Sequence, residues 1–353
     1  MDILLMILYC AIVLGFLVVI HEAGHFFAAR AFGVRVTEFM IGLPGPHIGF
    51  RHKGTLFGLT AVPLGGYARV CGMEPGAEKA HLREVLAYTY ECGTLNMEDV
   101  AQHLSITNDE AVDALDELVE WGSVVGPLKR DKYNTYRTPV DDRGDFKQGD
   151  PRPVDDAQKL YESERKRQYR SLPFWKRCVI LLAGPAMNLL FALLVIVIIY
   201  SVIGVDIQDP DSGVVQHIVI DPLKSLIAAC NYIGMVFVAV VQLFDPQTAA
   251  DTVSDSTSIV GIAVLSKTAA EQGIESFVMF AAMLSVSLGI MNMLPIPPLD
   301  GGRFIVEVFQ RIFHKDISYR TLAIISWLGM LLFIGFFLFM LNQDVQRFVL
   351  GNW

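Results

Sequence analysis

Hydrophobic and polar positions alternate along this chain in blocks. Residues 3–20 form an eighteen-residue run without a charge, long enough to begin a membrane-spanning helix. Further uncharged runs occupy 178–205, 276–299 and 321–343, all rich in Ile, Val, Leu, Phe or Met. These predict four transmembrane helices. A fifth run, 225–244, is also apolar; it is expected to lie on, or dip into, the outer leaflet without crossing. Between the first two spans, Phe39, Ile48, Phe50 and Leu56 are interleaved with Gly42, Gly45, Gly49 and Gly54. That pattern predicts short strands and turns, a small membrane-associated β segment over 36–70.

Residues 74–170 follow a different rule. They carry 21 acidic and 14 basic residues and no long apolar run. Leu82, Val85, Leu86 and Tyr90 recur at helical spacing. Asn96 followed by Glu98 and Asp99 reads as an N-cap and an acidic first turn, with Val100 and Leu104 on the apolar face. Thr107 to Glu110 starts another helix, with Val112, Leu115, Leu118 and Val119 expected on one side and Gly122 stopping it. Residues 123–138 read as two short strands around the basic turn Lys129-Arg130-Asp131-Lys132. Helix, helix–turn–helix and hairpin is the order of a winged-helix domain, expected over 75–145. A charged linker follows over 146–171, with a helix over 155–169. The expected fold is thus an α-helical polytopic membrane protein with an inserted winged-helix-like α+β domain. Its segments are 1–72 (first span and β segment), 75–145, 146–171 and 172–353 (the remaining membrane core).

Composition agrees. Of 353 residues, 53% are hydrophobic and 18% charged, and mean hydropathy is +0.43. A soluble domain carries about 25% charged residues. The net charge of −9 argues against nucleic acid as the partner of the whole chain. Of 28 Lys and Arg, 21 lie from Arg30 to Arg177, and Arg303, Arg311, Lys315 and Arg320 lie between the last two spans. The positive-inside rule puts both segments in the cytoplasm and makes the chain a multi-pass protein of the cell membrane. Asp2 near the start, and His21-Glu22 after the first run, do not resemble a cleaved signal peptide. Cys10, Cys71, Cys92, Cys178 and Cys230 are scattered and suggest neither disulfides nor a zinc ribbon.

The candidate chemistry sits at the end of the first span. His21-Glu22-Ala23-Gly24-His25 is an H-E-x-x-H. On a helix, residues four apart share one face, so His21 and His25 supply two metal ligands and Glu22 stands beside them as a general base. Ionisable groups at membrane depth are costly and mark function. A catalytic zinc needs a third protein ligand. Residues 292–302, Asn-Met-Leu-Pro-Ile-Pro-Pro-Leu-Asp-Gly-Gly, break the third span with three prolines, and Asp300 emerges there. His47, His52, His81, His103, His217 and His314 have no partner at ligand spacing and are expected to be structural or exposed.

Four motifs together resemble the site-2 protease family of zinc intramembrane metalloproteases. They are H-E-A-G-H at 21–25, P-L-G-G-Y-A-R-V at 63–70, A-G-P-A-M-N at 183–188, and N-x-L-P-I-P-x-L-D-G-G at 292–302. The resemblance implies zinc (Zn2+) on His21, His25 and Asp300 and a catalytic base at Glu22, near the cytoplasmic face. It implies Asn188 and Asn292 near the substrate, and a transmembrane segment of another protein as that substrate. Many relatives carry a PDZ domain between the second and third spans; the roughly seventy residues at 205–275 leave no room for one, whereas the insert at 75–145 is extra. The insert's third helix carries Asp109, Glu110, Asp113, Asp116, Glu117 and Glu120 and no Lys or Arg. It is expected to bind a cytoplasmic protein partner rather than DNA. The rival readings are a non-enzymatic membrane receptor with a vestigial metal site, and a metal transporter. An intact Glu22 disfavours both.

Overall fold

The computed structural model describes residues 2–346 except 63–64, 74–77, 129–130, 132–133, 142–144, 209–214, 246, 249–251, 253–256 and 316. The chain opens with α1 (Asp2–Ala31), which runs unbroken through the H-E-x-x-H. Strands β1 (Val36–Ile41), β2 (His47–His52), β3 (Thr55–Thr60) and β4 (Gly66–Val70) form one sheet in the order β2-β3-β1-β4. β1 pairs parallel with β3 and antiparallel with β4. β4 is therefore an edge strand.

The insert holds α2 (Leu82–Cys92), β5 (Thr94–Asn96), α3 (Met97–Leu104), α4 (Asn108–Glu120), β6 (Thr135–Arg137) and α5 (Ala157–Arg165). α3 and α4 start where the capping residues predict. Thr107 Oγ1 accepts from the Glu110 N–H at 3.3 Å while Glu110 Oε2 accepts from the Thr107 N–H at 2.9 Å, a reciprocal capping box. Gly122 ends the third helix with φ +67°, where a side chain is strained. The buried stripe of α4 is Ala111, Ala114, Leu115 and Leu118; Val112 and Val119 flank it instead of defining it, because the small alanines let α4 approach its neighbours. β5 was not anticipated. It pairs with β6, and Val125 bridges Arg137. The expected helix at 155–169 is shorter, with Asp156 capping α5. Lys129, Arg130 and Lys132 of the expected basic turn lie outside the described residues. The insert has its own core, from Leu82, Val85 and Leu86 through Leu115 and Leu118 to Trp121 and Tyr136.

The membrane part continues with α6 (Phe174–Ile198), hairpin β7–β8 (Val205–Gln208 and Val215–Ile218), α7 (Pro222–Gln242) and α8 (Ile259–Gln272). It closes with α9 (Ile274–Asn292), α10 (Asp300–Phe313) and α11 (Tyr319–Asp344). Among the described residues, five helices are long and apolar enough to cross a membrane, one more than the four-span expectation. The additional one is α7, whose run 225–244 satisfies the same length and composition as a span. α11 is apolar all round and largely exposed, as a lipid-facing helix is.

Candidate active site

α1 and α6 run antiparallel at very close range, and glycine makes that contact possible. A Cβ on Gly24 would lie 2.3 Å from the Ala183 carbonyl oxygen, and one on Gly184 would lie 2.3 Å from His25 Nε2 and 2.8 Å from His21 Nε2. Gly184 thus leaves the space that the two imidazoles occupy. α9 packs on the other side of α6. Ser285 Oγ donates to the Asn188 carbonyl at 2.9 Å, and Gly289 faces the Pro185 carbonyl.

After α9 the proline-rich stretch 293–299 turns the chain so that α10 begins at Asp300. Cβ atoms on Gly301 and Gly302 would meet the Met293 carbonyl oxygen at 2.2 Å and Pro297 N at 2.3 Å. The two glycines therefore let the start of α10 fold back onto the prolines and point Asp300 into the α1–α6 cleft.

Three donor atoms meet there. Asp300 Oδ2 lies 2.9 Å from His21 Nε2 and 3.2 Å from His25 Nε2, and the two Nε2 atoms are 3.2 Å apart. A tetrahedral zinc with bonds of about 2.0–2.1 Å holds neighbouring ligand atoms about 3.3 Å apart, so this donor set fits the metal with only slight widening. Among the described residues it is the only such group of His, Cys, Asp and Glu. Both imidazoles are buried. His25 Nδ1 donates to the Ile180 carbonyl at 2.8 Å, which leaves the Nε2 lone pair facing the other two ligands. Asn188, fully buried, has its amide nitrogen 3.3 Å from His21 Nδ1 and its Oδ1 without a partner. Turning that amide by 180° pairs Oδ1 with a His21 Nδ1–H, satisfies the orphaned oxygen and frees His21 Nε2 as a ligand.

Glu22 is not in the triad. Its Oε2 accepts from the Ala68 N–H of β4 at 2.8 Å, so the sheet edge holds the candidate base. Asn292 is placed differently from Asn188: its amide donates back to the Leu288 carbonyl at 3.0 Å, within its own helix. Sequence reasoning missed Ala68, Ile180 and Gly184. The first two act through backbone atoms, which any residue carries; Ala68 and Gly184 stand in the sequence only as members of the P-L-G-G-Y-A-R-V and A-G-P-A-M-N motifs. Of the other histidines, His217 pairs with Asp206 at 2.8 Å.

Two imidazoles and a carboxylate converging beside a second carboxylate, between apolar helices, define a metal-dependent hydrolase set into a membrane core. The profile of peptidase family M50 matches residues 9–336, and the chain belongs to that family; it is a zinc metalloprotease of the site-2 type. It is 24% identical to zinc metalloprotease RasP of Shouchella clausii, covering 94% of this chain and 96% of that protein. It is 26% identical to the regulator of sigma-W protease RasP of Bacillus subtilis, covering 96% and 98%. A putative zinc metalloprotease of Campylobacter jejuni is 26% identical, covering 96% and 92%.

Proposed function

We propose that this protein is an intramembrane endopeptidase that cleaves a transmembrane segment of another membrane protein. The observation that carries the reading is the meeting of His21, His25 and Asp300 within 3.2 Å of one another. Zinc, when bound there, supplies polarisation of the scissile carbonyl and acidification of the attacking water. The chain's own residues do the rest. Ile180 and Asn188 fix the imidazoles, Glu22 takes the proton from the attacking water, and the same carboxylate returns it to the leaving amine. A helical substrate hides its carbonyls in hydrogen bonds, so it must unwind before attack. β4 offers an edge on which an extended segment can pair, and Ala68 sets that edge against Glu22.

The segment between α6 and α9 supports a topology in which α7 makes no net crossing. Gly204, Val205 and His217 share one open cleft with Gly273 and Ile274, so the chain leaves and re-enters the core at the same end. Asp300 then stays on the side of His25, close to the cytoplasmic face that the basic residues indicate. Within the insert, the order α2-β5-α3-α4-β6 supports a winged-helix reading, and the acidic α4 supports a protein partner over a duplex. Salt-sensitive binding of duplex DNA by the full-length protein would overturn that part.

The test uses purified protein and a membrane-embedded substrate. Wild type is expected to hold about one zinc and to cleave; Asp300→Ala loses most of the metal; Glu22→Gln keeps the metal and loses cleavage. Full zinc occupancy in Asp300→Ala, or cleavage by Glu22→Gln, overturns the assignment.

A further inference from the structure

A second site lies at the end of α1, away from the catalytic centre. A cavity of about 260 Å³ is lined by Arg30, Gly33, Val34, Arg35, Lys53, Gly54 and Arg167. Four of these seven residues are cationic and none is acidic. They come from three parts of the chain. Arg30 ends α1, Lys53 and Gly54 form the β2–β3 turn, and Arg167 follows α5. The carboxylate Glu164 pairs with Arg35 at 2.7 Å and approaches Arg167 at 3.9 Å. Among the described residues, Arg30 and Lys53 form no ion pair. The carbonyls at the end of α1 do not offset this charge, because Phe32, Gly33 and Val34 N–H groups already donate to Ala28, Ala29 and Arg30.

The neighbourhood gives the cavity a depth. Phe32 stacks edge-on with Trp175 at 5.6 Å, and Lys176 Nζ sits over both rings at 5.3 and 5.5 Å. Trp175 is itself exposed. Exposed Trp beside Lys and Arg at the end of a span marks the headgroup level of a bilayer. Basic pockets between membrane elements at that level suit phosphate groups, and guanidinium and ammonium donors match phosphate oxygens.

We propose that this cavity binds one phosphate-bearing anion at the membrane–water boundary, held by Arg30 and Lys53, with Arg35 and Arg167 in its wall. Such an anion ties the end of α1, which carries the H-E-x-x-H, to the sheet that holds Glu22 and to the segment leaving the insert. The phosphate can come from a lipid headgroup or from solution, and the two sources separate in one experiment. Zinc-loaded, full-length protein is placed in phosphatidylcholine nanodiscs doped with phosphatidylglycerol, and retained lipid is read by native mass spectrometry. In parallel, the melting temperature in detergent is read with inorganic phosphate against chloride at equal ionic strength. Retention of one phosphatidylglycerol identifies the lipid source; a melting shift with phosphate alone identifies the soluble one. Arg30→Gln and Lys53→Gln, both exposed positions, should each weaken the positive signal about fivefold, while Arg320→Gln, a cation on α11, leaves it unchanged. All three variants should melt like wild type in pure phosphatidylcholine, which removes misfolding as an explanation. Absence of both signals, or an equal loss in Arg320→Gln, overturns the site.

Discussion

Gly184 is the residue on which the candidate metal centre turns. It has no side chain, yet its missing Cβ is what the His21 and His25 rings fill. Gly184→Ala introduces a methyl group 2.3 Å from His25 Nε2, between backbone that cannot retreat and a ring held by Ile180. Zinc affinity is expected to fall about 100-fold, read by metal content after dialysis, with the helical content unchanged. Asn188 marks the limit of what residues disclose. The family resemblance places it only near the substrate, whereas its contact with His21 Nδ1 depends on α6 running antiparallel to α1. Ligand chemistry restricts a candidate metal site to few residue types, so His21 and His25 stand out by their spacing and Asp300 by the proline break before it. The Ile180 carbonyl and the Ala68 amide are carried by every residue in the chain, and nothing in the sequence distinguishes these two.

At the scale of elements, β4 does two jobs with opposite edges. One edge bonds to β1; the other presents the Ala68 N–H to Glu22. Ala68→Pro removes that donor without removing a ladder bond, and proline is tolerated on an outward-facing edge position. The expected result is unchanged zinc content with kcat reduced about tenfold, since the base loses its orientation but keeps its chemistry. A collapse of zinc content together with activity would mean the strand had unfolded instead. The long apolar helices were legible because a bilayer requires about 20 apolar residues in a row. α7 is not settled by the same rule, since a helix that dips beside α6 and α9 would carry the same composition as one that crosses. β5 spans three residues, too few to reveal an alternation of period two.

At the scale of the molecule, the insert folds around its own core and is joined to the protease by a buried ion pair. Arg35 precedes β1, and Glu164 ends α5; Ser123 Oγ donates to the same carboxylate at 2.6 Å, and Arg35 also reaches the Trp121 carbonyl. Burial pushes the Glu164 carboxyl up, but the Arg35 charge and the hydrogen bonds from Arg35 and Ser123 outweigh it, and the group lies below the usual carboxylate range. A depressed carboxylate contributes stability above its unfolded value of about 4.3 and loses it as pH falls through its folded value. Acidification below about pH 4 should therefore loosen the insert, seen as faster limited proteolysis of residues 74–170 while the membrane helices persist. Arg35→Ala leaves Glu164 buried without its counter-charge, at a cost of about 3–5 kcal/mol. The Ser123 hydrogen bond and the Arg167 charge then oppose burial without Arg35, so the loosening should move to higher pH. An unchanged proteolysis profile in Arg35→Ala would show that the pair does not fasten the insert.

That ion pair joins two halves of the chain that each hold part of the chemistry. His21, His25 and Glu22 lie before the insert and Asp300 after it, so on the proposed assignment neither half should cleave alone. A chain divided between β6 and α5 leaves Arg35 on the first polypeptide and Glu164 on the second. Co-expressed, the two pieces should reassemble into a working enzyme through the α1–α6 contact and this clasp. Replacing Glu164 by alanine should weaken that complementation far more than it weakens the intact chain, because the covalent link no longer keeps the partners together.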